Sequence, residues 1–197
     1  ILEQSAQLPH ANIIVFDLHG EYSSMKFASH YRIAGIGEAL YAVRDTLPTW
    51  RGHNEQTMAH SAIAFAKAAK RRRAMAVTTS IGPGALNMVT AAGTAHANRL
   101  PVLLIAGDTF NNRLPDPVLQ QVEHFNNPTM TVNDAFKSVT RYWDRITHPA
   151  QIIQSLPQAI AAMLDPADCG PTFIGLPQDT QEIAFDYPAV FFEERVW

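Results

Sequence analysis

The sequence predicts an α/β fold: a parallel sheet with helices on both faces. Three observations carry this. Short apolar, β-branched runs alternate along the chain with longer segments rich in Ala and Leu. The runs at 12–18 and 101–108 are apolar at nearly every position rather than at every second one, the pattern of strands buried on both faces. The stretches between runs are long enough to hold a helix, which is what joining parallel neighbours demands.

Taken in order, "NIIVFDL" (12–18) reads as the first strand and "GIGEALYAVRDTL" (35–47) as a helix. In "RGHNEQTMAHSAIAFAKAAKRRR" (51–73) a loop precedes an alanine-rich helix. Asn54 is placed to cap it, Glu55 lies in its first turn, and Lys70, Arg71, Arg72 and Arg73 close it where positive charge complements the helix dipole. "AMAVTTS" (74–80) is a strand running into the turn "IGPGALN", and "ALNMVTAAGTAHANR" (85–99) is a second small-residue helix. "PVLLIAGD" (101–108) is a buried strand. "LPDPVLQQVEHF" (114–125) reads as a helix with Asp116 at the N-cap and Pro117 at the first position. "KSVTRYW" (137–143) is a strand, "HPAQIIQSLPQAIAAML" (148–164) an amphipathic helix carrying a proline, and "GPTFIGLPQD" (170–179) the last strand. Open sheets of this kind take ligands beyond the carboxyl ends of their strands. Those ends are Ser80 to Asn87, Gly107 to Thr109 and Leu176 to Asp179.

Composition narrows the class. With 47% hydrophobic and 17% charged residues, 197 residues suffice for one large globular domain. A net charge of −3 makes nucleic acid an unexpected partner. One cysteine, Cys169, excludes an internal disulfide framework and fits a reducing cytoplasm. No apolar run is long enough to span a bilayer. Ile1 opens the chain without a Met or a basic leader, and the aromatic tail "FDYPAVFFEERVW" ends abruptly. Both lead us to expect a longer reading frame.

Four features bear on chemistry. The "TTSIGPGALN" turn joins a strand to a helix through two glycines and a proline. It suits either a phosphate cradle at a helix N-terminus or a purely structural turn, and it lacks the lysine of a Walker A loop. Glu55 suits either a dipole-favoured first-turn acid or a functional acid with a proton-sharing partner. His53 and His60 flank Glu55 without metal-ligand spacing, so no metal is expected on this chain. Cys169, in "DPADCGPT", reads as a structural thiol.

The order of "HNEQTMAHSAIAFAK", "AVTTSIGPGALNMVTAAGTAHANRLPVLLIAGDT" and "DPVLQQVEHF" resembles the pyrimidine-binding (PYR) domain of thiamine-diphosphate enzymes of the acetolactate-synthase type. "DPVLQQVEHF", "NDAFKSVTRYWDRI" and "FFEERVW" are similar to the trihydroxycyclohexane-dione hydrolase branch, ring-opening enzymes of myo-inositol catabolism. The resemblance runs from about Gly35 to Trp197, so residues 34–197 are expected to form one PYR-type domain.

The resemblance implies that Glu55 hydrogen-bonds N1′ of the cofactor's aminopyrimidine and so promotes loss of the thiazolium C2 proton. It implies that Ser80, Gly82, Pro83, Gly84 and Asn87 line the pyrimidine side, and that Gln120 lies near the substrate, a cyclic 1,2-dione bearing hydroxyls. Such enzymes anchor the diphosphate and Mg²⁺ in a PP domain, whose motif is absent here. Each site lies between two subunits, which implies a homo-oligomer, dimer or tetramer, with half a site on this chain.

Residues 1–33 depart from that pattern. "NIIVFDLHGEYSSM" resembles the Walker B strand of FtsK/HerA-type DNA translocases, with Asp17 and Glu21 in the positions of the metal-water and water-orienting acids. The segment is either foreign to the domain or a strand that fills the first place in its sheet. Two alternatives to the enzyme reading follow: an ATP-driven DNA-translocase fragment, and a non-catalytic PYR-like interaction domain.

Overall fold

The computed structural model describes residues 11–15, 36–113, 120–122, 124 and 126–193. Its centre is a parallel five-stranded sheet in the order β1-β2-β3-β5-β4. The strands are β1 (Ala11–Val15), β2 (Ala74–Thr79), β3 (Val102–Asp108), β4 (Tyr142–Arg145) and β5 (Pro171–Pro177). Register runs Ala11 to Ala74, Ala76 to Leu103, Val102 to Pro171 and Tyr142 to Thr172. With every pairing parallel, all carboxyl ends meet at one edge. β1 takes the outer place beside β2, so part of the segment that departs from the family pattern does join the sheet.

Both faces are covered, as the buried runs require. Along β3 the residues divide by parity. Val102, Leu104 and Ala106 join a core with helices α2 (Glu55–Ala68) and α4 (Val89–Asn98), while Leu103 and Ile105 join a core with α1 (Ile36–Ala42) and α5 (Ile152–Leu164). On the first face Phe136 stacks on Phe173 with ring centroids 4.2 Å apart. On the second, Ile152, Leu156, Ala159, Ile160 and Met163 form one buried stripe of α5. That stripe keeps α5 helical despite Pro157, which removes one ladder hydrogen bond. Cys169 is buried, its thiol donates to the Met163 carbonyl at 3.1 Å, and burial raises its pKa.

Several elements differ from the sequence reading. The helix expected over 35–47 ends at Ala42. The one expected over 85–99 is two: a single turn, α3 (Pro83–Leu86), and α4, separated at Asn87 and Met88. The strand expected from Lys137 starts at Tyr142. Its first residues belong to a 3₁₀ helix, Val132–Ser138, fixed by a capping box in which Thr131 and Asp134 satisfy each other's backbone N–H groups. Of the helix expected over 114–125, Gln120 to Val122 are not helical, while Asp116 and Pro117 lie outside the described residues. Asp17 and Glu21 also lie outside them. A short helix α6 (Gln178–Gln181) and a 3₁₀ turn at Ala189–Phe192 were not foreseen.

The carboxyl ends of β3 and β4 are tied by charge. Asp108 is 1% exposed and accepts from Arg145 Nε at 2.7 Å and from the Thr109 N–H at 2.8 Å. Arg145 also donates to Thr131 Oγ1 at 2.6 Å and to the Thr129 carbonyl at 3.1 Å. Gly175 lies beneath: a Cβ there would come within 3.0 Å of Asp108 Oδ2. Burial pushes the neighbouring Asp134 carboxyl up, but Lys137, the Thr131 N–H and Arg145 outweigh it and its pKa lies below the usual value. Its contribution to stability is therefore full above the ordinary carboxylate range and is lost as pH falls through the lowered value.

Removing one partner of a buried pair strands the other. Arg145→Met should lower unfolding free energy by about 3–5 kcal/mol in urea titration, and adding Asp108→Asn should recover part of it. A single-variant loss below about 1 kcal/mol, typical of a surface pair, would show that this network does not hold the two strand ends.

Candidate functional site

Glu55 opens α2. The chain turns into the helix at Asn54, whose side-chain oxygen accepts from the Thr57 N–H at 2.9 Å and caps the first turn. This fixes Glu55 where the free N–H groups of the helix favour negative charge. The same turn faces the sheet, so Glu55 is only 5% exposed.

The second part of the site is the turn after β2. Gly82 has φ +68° and ψ −123°, a conformation open to glycine and strained for other residues. Pro83 follows at the first position of α3, where its fixed φ suits a helix start. Gly84 is buried against three oxygens. A Cβ there would lie 2.5 Å from Ser80 Oγ, 3.1 Å from Glu55 Oε1 and 3.2 Å from Thr79 Oγ1. Asn87, at the end of α3, donates through Nδ2 to Glu55 Oε2 at 2.8 Å. The segment at Gln120 closes over the turn: a Cβ on Gly82 would come within 1.9 Å of the Gln120 carbonyl oxygen and 3.7 Å of Val122. Gln120 itself has φ +62°.

Glu55, Ser80, Gly82, Gly84, Asn87 and Gln120 therefore meet at one place, with Pro83 exposed on its rim. The carboxylate has two distinct oxygens. Oε2 is engaged by Asn87, whereas Oε1 accepts no hydrogen bond from any described residue and packs close to Gly84, where a Cβ would come within 3.1 Å of it. Leu86 and Val122 are exposed apolar residues of the same region, at 40% each, and suit an apolar partner surface.

Sequence reasoning missed Thr79, whose hydroxyl donates to the Ser80 carbonyl at 2.7 Å and sets the wall beside Gly84. Its place at the end of a strand was the available signal. The reading also missed that Gln120 meets the glycine turn through its backbone. Asp179, in the first turn of α6 just after β5, accepts from the Asn111 and Asn112 N–H groups at 3.0 Å each, so this third strand end secures the loop after β3. His60 Nδ1 pairs with the Gln56 carbonyl at 2.9 Å, and among the described residues no group of three or more His, Cys, Asp or Glu is placed to hold a metal ion. No helix among them is long and apolar enough to cross a membrane.

Comparison with protein families matches residues 31–128 to "Thiamine pyrophosphate enzyme, N-terminal TPP binding domain". Curated relatives of the chain include the 3D-(3,5/4)-trihydroxycyclohexane-1,2-dione hydrolases of Clostridium tetani, 53% identical, and of Shouchella clausii, 52% identical, each over 167 residues. That of Geobacillus thermodenitrificans is 49% identical over the same length. Each alignment covers 85% of this chain and 26% of the relative, so the chain spans about a quarter of the length of these proteins. The reading as an ATPase segment is not borne out: the family and the relatives are thiamine-dependent or dione-hydrolysing proteins.

Gly82→Ala should be severe, because both φ and space oppose it. We expect a loss of about 1–3 kcal/mol in urea melts and faster proteolysis near residue 120. An unchanged cleavage pattern and melting curve would show that the Gln120 backbone is not seated on this turn.

Proposed function

We propose that the chain, whose residues 31–128 match the N-terminal TPP binding domain of thiamine pyrophosphate enzymes, supplies the pyrimidine-binding half of the site in a thiamine-diphosphate-dependent hydrolase. The reaction is cleavage of a C–C bond in a polyhydroxylated cyclic 1,2-dione, trihydroxycyclohexane-1,2-dione, in inositol catabolism. The substrate class rests on what the relatives are named for. The chemistry rests on one observation: a buried carboxylate with one oxygen engaged by Asn87 and the other accepting from no described residue.

Bound here, the cofactor supplies a carbon nucleophile and an electron sink. The chain's own residues do the rest of what this half-site requires. Glu55, buried and held through Oε2, would hold a shared proton at Oε1 toward the pyrimidine nitrogen. Ser80, Gly82, Pro83 and Gly84 form the compact wall beside Glu55 against which the pyrimidine would rest. Gln120, whose carbonyl is seated on Gly82, is assigned to the substrate side by the family resemblance.

The diphosphate and Mg²⁺ would be held by a PP domain of another subunit, so the working form is at least a dimer, and the reading takes it to work in the cytoplasm. In this reading residues 34–197 make up the PYR-type domain, and of residues 1–33 the strand β1 adds to its sheet ahead of the family match, which begins at residue 31.

Glu55→Gln in the full-length protein should lower turnover about 10²- to 10⁴-fold, the scale of one general acid–base group, with an unchanged circular dichroism spectrum. Near-normal turnover would sink the assignment. The 197-residue chain alone should bind thiamine diphosphate weakly or not at all in calorimetry, because the diphosphate anchors lie elsewhere. Tight binding would contradict the half-site.

A further inference from the structure

Family resemblance places Asn87 among residues lining the cofactor, but its geometry gives it another task. Its amide nitrogen is spent on Glu55 Oε2 at 2.8 Å, 32 residues away in sequence. The two residues sit at the ends of two helices. Glu55 is in the capped first turn of α2, and Asn87 closes α3 with its backbone N–H on the Pro83 carbonyl at 3.1 Å. Neither end is free to drift, so the hydrogen bond selects one rotamer of a side chain with three rotatable bonds.

It also makes the two carboxyl oxygens unequal. An amide N–H can only donate, so Oε2 must accept there. A proton held by the carboxyl group is therefore favoured on Oε1, the oxygen 3.1 Å from where a Gly84 Cβ would stand. Asn87 and Gly84 act as a pair: one occupies Oε2, and the other carries no side chain to press on Oε1.

We propose that Asn87 is a positioning residue that acts through Glu55, fixing the carboxyl group so that Oε1 alone exchanges a proton with the bound ring. This rests on the functional reading above. Asn87→Asp is the informative variant, since it keeps the shape but sets an acceptor against an acceptor. Asn87→Ala removes the donor with the least new chemistry.

The test has two arms. The first uses the 197-residue chain without cofactor, labelled with ¹⁵N. The Asn87 side-chain amide pair is assigned by its loss in Asn87→Ala, and it should shift in Glu55→Ala. An amide pair indifferent to Glu55→Ala overturns the proposal whatever the cofactor. The second arm uses the full-length protein at saturating thiamine diphosphate. Asn87→Asp and Asn87→Ala should each lower kcat about ten- to a hundredfold, the worth of one hydrogen bond to a charged group, with cofactor Kd nearly unchanged. A Kd raised by that factor with kcat intact overturns the proposal and makes Asn87 a direct cofactor contact. A shifted amide pair in a full-length protein that binds no thiamine diphosphate overturns the functional reading, and the proton role with it, while the Asn87–Glu55 hydrogen bond stands.

Discussion

The site depends on a carboxylate that has been taken out of water. Desolvating an ionised carboxyl group costs several kcal/mol even after relaxation, so a buried Glu55 exists only where its surroundings answer the charge. Two answers are built in. The N-terminus of α2 contributes about 0.3–1 kcal/mol, and the Asn87 N–H about 1.5–3 kcal/mol. Together they offset part of the penalty, and they act on one oxygen: Oε2 is engaged, whereas Oε1 accepts no hydrogen bond from any described residue. What surrounds the group is fixed accordingly: a helix start, an amide from the end of α3, and a position without a side chain beside them.

The sheet brings these pieces together. Because every pairing is parallel, the turn after β2 and the loop after β3 emerge at the same edge. Gly107 of β3 packs against Ile81 in the middle of the glycine turn, where a Cβ would come within 3.2 Å of the Ile81 nitrogen, and the Gly107 carbonyl accepts from the buried Asn133 amide at 2.8 Å. The Asp108–Arg145 pair lies next along the chain. The edge is thus continuous. The carboxylate site rests on a turn, the turn rests on β3, and β3 is tied through Arg145 to the segment before β4. A pair of this kind, replaced whole by apolar residues, need not weaken the fold. Its value here is that it sets the place of the strand ends.

Strands and faces were legible because burial on both sides leaves a mark that any short apolar run displays, as "PVLLIAGD" does. The acid was visible as a first-turn glutamate, but its role was not: composition and spacing leave Glu55 equally suited to a dipole-favoured surface acid. Only the resemblance of the surrounding motifs singled it out. The misreadings have physical causes. Residues 85–99 contain no strong helix breaker outside a lone glycine, so nothing local announces the interruption at Asn87 and Met88. Val139 and Thr140 favour a strand, yet the reciprocal caps of Thr131 and Asp134, with Phe136 buried on Phe173, hold the preceding residues in a 3₁₀ helix. Long-range pairs such as Arg145 with Asp108 leave no trace in one sequence.

The two glycines of the turn look interchangeable in the string "GPG", and they are not. Gly82 is required by its own backbone, at φ +68°, and by another backbone, since the Gln120 carbonyl occupies the place of a side chain. Gly84 is helical and needs no special φ; it is required by the side-chain oxygens of Ser80, Thr79 and Glu55 that crowd its missing Cβ. Pro83 between them holds the helix start in one conformation, so neither neighbour can relax by rotating the turn. One glycine thus seats the Gln120 segment and the other lets Ser80, Thr79 and the Glu55 carboxylate pack together. The short motif couples that segment to the carboxylate because a rigid residue stands between two unsubstituted ones.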